Sequence, residues 1–168
     1  MQQFEKPTLV RLVLAIGLLA LASCGSAPPN PVKAEAVVLA VVSAAADVNP
    51  DADGSPKPVV LRVYQLKADA SFANADFFAL YDQEQETLGA DLLAREEFVL
   101  APGDSRKVEF GVQPDARFIG VAAAFRDIRN ADWRAITATP KNGFSDLIGK
   151  DALQVTAQGT RVTLSVSD

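Results

Sequence analysis

The chain has 168 residues, 49% of them hydrophobic, a formal net charge of -5, a single cysteine and no histidine. Without histidine there is neither Ser-His-Asp nor Cys-His catalysis, and the commonest zinc ligand is missing. The acidic balance has the wrong sign for nucleic-acid phosphates, and one thiol cannot make a disulfide within the chain.

At the amino terminus Lys6 and Arg11 precede an apolar run from Leu12 to Ala22, which leads into Ser23 and Cys24. Positive charge, an apolar stretch of this length and small residues, in that order, make a secretory signal. The run is shorter than the roughly 20 apolar residues a membrane-spanning helix needs, and Pro28, Pro29 and Pro31 follow it. The position of the only cysteine directly after Leu-Ala-Ser predicts a lipoprotein signal: residues 1–23 are removed, and Cys24 becomes an N-terminus carrying a diacylglycerol and an acyl chain. The alternative is an unlipidated leader cut near Ser26, with Cys24 discarded. The difference is physical, because each buried acyl methylene contributes about 0.8 kcal/mol, so one chain holds marginally and two or three hold stably. Gly25, rather than Asp, follows the cysteine, which is similar to Gram-negative lipoproteins sorted onward; the expected location is the periplasmic face of the outer membrane. Removing Glu5, Lys6 and Arg11 with the leader takes away one net positive charge, leaving 145 residues at -6.

The stretch 24–33 holds the three prolines and no apolar period, so it reads as an extended linker of about 3.1 Å per residue. Residues 34–168 read as one periplasmic domain, mainly β. The runs at 36–45, 59–66 and 117–125 are more continuously apolar, β-branched residues dominating the first two, which suits strands at the centre of a sandwich. Between 71 and 92, Phe77, Leu80 and Tyr81 stand at i, i+3, i+4, and Leu88 and Leu92 repeat at i+4. This spacing predicts one or two short helices, capped by Asp76 and limited by Gly89, with an aromatic face on the sheet edge. Val108, Phe110 and Val112 alternate with polar or small residues, as do Val162, Leu164 and Val166. Pro102-Gly103-Asp104 between 96–101 and 106–112, and Gln158-Gly159 between 152–157 and 160–167, predict two hairpins.

Few residues suggest chemistry. Asp51, Asp53 and Gly54 look like the opening of a calcium loop, but no Glu stands at the required distance and Pro56 and Pro58 intrude, so no metal is expected there. Glu84, Glu86, Glu96 and Glu97 read as a solvated helix face and a strand start rather than an acid/base pair. Arg126, Asp127, Arg129, Asp132 and Arg134 beside Trp133 could bind an anion; surface ion pairs over a packed indole are the simpler account.

Four blocks in order, LRVYQLK at 61–67, SFANADFFALYD at 71–82, LLAREEFVLAPGD at 92–104 and FIGVAAAFRDIRNADWRA at 118–135, stand behind the lipoprotein signal. Together they resemble the TssJ family, outer-membrane lipoproteins of the type VI secretion system. The resemblance implies a transthyretin-like two-sheet β-sandwich with a short helical insertion. It also implies a role without catalysis or cofactor beyond the lipid: holding the periplasmic carboxy-terminal part of TssM, and TssL indirectly, in a trans-envelope membrane complex for protein secretion. In the family the loop between the first two strands makes the TssM contact. Here that loop runs from Asp47 to Lys57, with Asn49, Pro50, Asp51, Ala52, Asp53, Gly54 and Ser55 as the partner-binding residues. Its length exceeds that of an ordinary hairpin connection, which favours a functional loop. The alternative function is a periplasmic lipoprotein that takes a small ligand or glycan against Phe77, Phe78 and Tyr81.

Overall fold

The run of β-branched and small residues from Ala36 to Ala44 forms strand β1, and its even-numbered side chains, Val38, Ala40, Val42 and Ala44, are buried. This computed structural model describes residues 36–139 and 151–166; the leader, Cys24 and the linker lie outside the described residues. Seven further strands follow: β2 (Val59–Leu66), β3 (Leu92–Leu100), β4 (Ser105–Val112), β5 (Phe118–Ala124), β6 (Arg134–Ala138), β7 (Asp151–Gln158) and β8 (Arg161–Val166). They make two four-stranded sheets in the orders β4-β1-β7-β8 and β3-β2-β5-β6. All pairings are antiparallel except β1 with β7. The fold is thus a two-sheet β-sandwich, and the three more continuously apolar runs occupy inner positions in their sheets.

Between the sheets lies a dry core that includes Val38, Leu61, Val63, Phe110, Val121 and Val155. Burying each such side chain contributes about 1.5–3 kcal/mol. Gln65 is one of two buried polar residues among those described, 1% exposed. Its Nε2 donates to the Gly111 carbonyl at 2.7 Å and its Oε1 accepts from the Gln113 amide at 2.8 Å, so it ties β2 to the end of β4 in the other sheet.

Of the two hairpins expected, the one across Gln158-Gly159 is present, as β7 pairs with β8. The other is corrected. Pro102 and Gly103 do form a tight turn, with the Asp104 amide donating to the Ala101 carbonyl and Gly103 at φ +83°. Yet β3 and β4 belong to different sheets. The Gly103 amide donates to the Ala44 carbonyl and the Ala44 amide to the Asp104 carbonyl, so β1 captures the turn and draws β4 to its own edge. Turn residues set a local reversal; they do not choose the next strand's partner.

Three short helices lie between β2 and β3: α1 (Ala70–Asn74), α2 (Phe77–Asp82) and α3 (Glu84–Leu88). Asp76 caps α2, its Oδ1 accepting from the Phe78 and Ala79 amides at 3.0 Å, and Gly89 at φ +51° ends α3. The α1 turn has no counterpart in the expected pattern. The helices also do not sit at the sheet edge. Phe72, Leu80 and Leu88 pack on Tyr64, Leu66 and Ala122 of the inner strands β2 and β5, covering the outer face of that sheet. Covered on both faces, β2 buries Val63, Tyr64, Gln65 and Leu66 in succession. Phe77 stacks on Tyr81 with centroids 5.1 Å apart and meets Trp133 edge-on at 5.2 Å, as helix-to-sheet packing. Arg134 closes the layer: its guanidinium lies 4.8 Å over Trp133 and donates to the Ala75 carbonyl at 2.6 Å.

The phenol of Tyr64 is fully buried, and its hydroxyl has no hydrogen-bond partner among the described residues. Burial pushes its pKa up to about 12, with the nearby Arg62 charge offsetting only part of the shift. The folded state therefore favours the neutral phenol. The corresponding stability is complete below pH 10 and is lost as pH rises from 10 towards 12. Tyr64→Phe is expected to leave stability at pH 7 unchanged or higher, because no bonded partner is orphaned. In urea titrations at pH 9 and pH 11.5, the parent midpoint should fall further than that of the variant; equal falls would count against this.

Candidate functional site

The end of β1, the start of β2, the end of β3 and the start of β4 lie at one pole of the sandwich, with the β5–β6 and β7–β8 connections. Ala36, where the chain enters β1, is at the other pole. The segment 45–58 leaves the first pole. It joins strands of different sheets, so its length serves a crossing as well as any docking role.

Each residue expected to bind a partner has a definite place in this segment. Val48 is fully buried in the inter-sheet core and roots the loop. Asn49 is 3% exposed and adopts φ +50°, a left-handed conformation that Asn tolerates better than other side chains. Its amide donates to the Gly159 carbonyl at 2.7 Å, its Nδ2 donates to the Pro58 carbonyl at 2.6 Å, and its Oδ1 accepts from the Arg126 amide at 2.8 Å. One residue, through its backbone and its side chain, thereby joins both ends of its own loop to two other connections. Pro50 is half-buried beside it.

Asp51 organises the tip. Its Oδ1 accepts from the Asp53 and Ser55 amides at 3.0 and 2.9 Å, and its Oδ2 meets Lys57 Nζ at 2.8 Å. The Asp51 amide donates to the Ser55 carbonyl at 2.9 Å, and Gly54 turns the chain at φ +81°. Lys57, followed by the Ser55 amide, holds the Asp51 carboxyl below its ordinary value of 3.8. A depressed carboxylate pKa means the staple is complete above that value and is lost as pH falls through the lower folded one. Of the two acids that suggested a calcium loop, Asp51 directs both carboxylate oxygens at the loop's own amides and Lys57. Ala52, Asp53, Gly54, Ser55 and Pro56 are exposed on this frame. Lys57 and Pro58, which complete the frame, lie outside the expected set; an acid six residues before a lysine is too common to have singled them out.

The other charged groups fall into structural roles. Arg62 donates to Glu97 Oε2 at 2.8 Å and to the Tyr81 carbonyl at 2.6 Å, with the Tyr81 ring 3.7 Å from its guanidinium carbon. Arg95 bridges Glu84 at 3.0 Å and Glu97 at 2.9 Å. Arg62 holds the Glu97 carboxyl below its ordinary value, whereas burial raises that of Glu96, on the opposite face of β3. These contacts fasten α2 and α3 to β2 and β3. In the arginine-rich connection, Asp132 pairs with Arg161 at 2.7 Å and Asp127 accepts from Asn130, while the half-buried indole of Trp133 lies under Arg134.

Residues 36–162 match the family of type VI secretion lipoproteins, described as VasD, EvfM and TssJ, and the chain belongs to that family. No curated protein matches the sequence. Among solved structures, the chain is similar to the T6SS lipoprotein TssJ1 from Pseudomonas aeruginosa, with 35% identity, a TM-score of 0.69, and coverage of 79% of this chain and 97% of that one. It is similar to Serratia marcescens Lip, a membrane-bound component of the type VI secretion system, with 30% identity, a TM-score of 0.67, and coverage of 76% and 96%. A chain in the structure described as the C-terminal domain of the T6SS protein TssM from EAEC is 30% identical, with a TM-score of 0.61 and coverage of 78% and 98%.

Proposed function

We propose that this type VI secretion lipoprotein is a non-catalytic anchor that holds the periplasmic C-terminal domain of TssM to the outer membrane through the β1–β2 loop, and TssL indirectly in the membrane complex. The observation that carries the reading is the loop frame. Asn49 and the Asp51–Lys57 staple present Ala52 to Pro56 in one exposed conformation, so little entropy remains to be lost on docking. The similarity to a chain in the TssM C-terminal-domain structure supports the choice of partner. Polarity agrees with the anchor: β1 begins at the pole opposite the loop, which leaves the loop's pole clear of the chain's entry into the sandwich. In this reading residues 1–23 are the removed leader, 24–33 the tether and 34–168 the working domain.

The test is a titration of the mature chain, carrying Cys24→Ser, against the C-terminal domain of TssM from the same organism. Saturable binding is expected, abolished by replacing Asp51–Ser55 with a two-residue glycine link while the thermal transition persists. Failure of the parent chain to bind at high micromolar concentration would defeat the reading.

A further inference from the structure

We infer that the partner surface is composite: the β5–β6 connection, residues 125–133, contributes to it beside the β1–β2 loop, with Asn49 as the positioning residue that locks the two together. This rests on the proposed TssM docking. Asn49 Oδ1 receives the Arg126 amide at 2.8 Å, while Asn49 Nδ2 holds the Pro58 carbonyl at 2.6 Å, so the same buried amide fixes the exit of β5 and the return of the loop to β2. The β5–β6 connection is held from its other side as well. The Asp132 amide donates to the Thr160 carbonyl and the Val162 amide to the Asp132 carbonyl, and the Asp132 carboxylate pairs with Arg161. Both loops therefore sit on one rigid frame of backbone bonds at one pole.

What they expose is complementary in sign. On the β1–β2 loop Asp51 is neutralised by Lys57, whereas Asp47 and Asp53 are exposed and make no ion pair with any described residue. On the β5–β6 connection Asp132 is neutralised by Arg161 and Asp127 is engaged by Asn130, whereas Arg126 and Arg129 are exposed and make no ion pair with any described residue. An acidic tip fixed beside a basic loop selects a partner face with basic and acidic groups in matching order. Such a pattern sets orientation and association rate more than raw affinity.

The experiment measures association kinetics and affinity of the mature chain, carrying Cys24→Ser, for the TssM C-terminal domain at two salt concentrations. Three variants are compared with it: Arg126→Ala with Arg129→Ala, Asn49→Gly, and the shortened Asp51–Ser55 loop. The double arginine variant should associate about tenfold more slowly with a flatter salt dependence and an unchanged thermal midpoint. Asn49→Gly keeps the positive φ but deletes the amide. Measured well below its own thermal midpoint, it should bind at least tenfold more weakly, a loss that a merely stabilising residue would not produce in the folded state. If the parent binds and the shortened loop does not, while both other variants stay within twofold of the parent, the composite surface is overturned and the loop alone is the interface. If the parent itself does not bind, the proposed function falls with it.

Discussion

Replacing Gly120 with alanine should destabilise the sandwich by about 1–3 kcal/mol, as overpacking a filled core does. Gly120 stands in β5 opposite Tyr64 of β2, and the tip of the Phe72 ring rests on it. A Cβ built there would meet the ring's Cζ at 2.8 Å and Cε1 at 2.9 Å, closer than side-chain carbons approach. The ring has no room to retreat. It is fully buried, tilted against Tyr64 at 5.4 Å, and α1 above it is clamped by the Arg134 bonds to the Phe72 and Ala75 carbonyls. Glycine inside a strand is ordinarily unfavourable by about 0.5–1 kcal/mol, and here it makes room for the helical layer to touch the sheet. The control is Phe72→Leu, which removes the ring atoms that meet Gly120 while keeping an apolar side chain. If the contact is the cause, the double variant should lose less than the sum of the single losses in urea denaturation, a coupling measurable in a double-mutant cycle. Strictly additive losses would place the cost of the alanine elsewhere.

Replacing Cys24 with glycine should move the protein from the membrane to the soluble periplasmic fraction and abolish secretion, with the sandwich still folded. On the proposed lipidation, two or three acyl chains at about 0.8 kcal/mol per buried methylene would hold the protein stably, and a chain of net charge -5 has no attraction to an acidic lipid surface to replace them. Among the described residues no helix is long and apolar enough to cross a membrane. Cys24 lies about a dozen residues ahead of β1 in the sequence, and the core of the described sandwich is built from residues 38–162. Sedimentation after a carbonate wash, with circular dichroism of the released protein, separates anchoring from folding. If Cys24→Gly still pelleted with membranes in cells lacking TssM, the attachment would have another source.

The elements that could be read beforehand share a local cause. Alternation within 106–112 and 160–167 exposes which face of β4 and β8 is buried, and Gln158-Gly159 closes β7 on β8, because each signal lies within a few residues of what it sets. The Asp76 cap and the Gly89 stop were legible for the same reason. Pro102-Gly103-Asp104 carries an equally clear turn signal, yet the strands it joins part company, since β4 is chosen by β1, some sixty residues earlier. The candidate loop was legible as a segment, while the division of labour inside it was not. Asn49 and Asp53 are both small polar residues in a polar stretch; only the fold makes the first a buried lock and leaves the second exposed at the tip.

The family, the mainly β character with its helical excursion, and the segment on which the proposed function turns could all be read from the residue order, which also raises the expectation of an export and lipidation signal. Tertiary structure alone decided which sheet each strand joined, that the helices cover the inner strands of one sheet, that Gly120 must admit Phe72, and that Asn49 ties the β1–β2 loop to Arg126, 77 positions away. The physical reason is range. Periodicity, caps and turn residues report the preferences of a few neighbouring peptide units, whereas sheet membership and buried polar contacts are settled when distant segments compete for the same apolar face and the same hydrogen bonds.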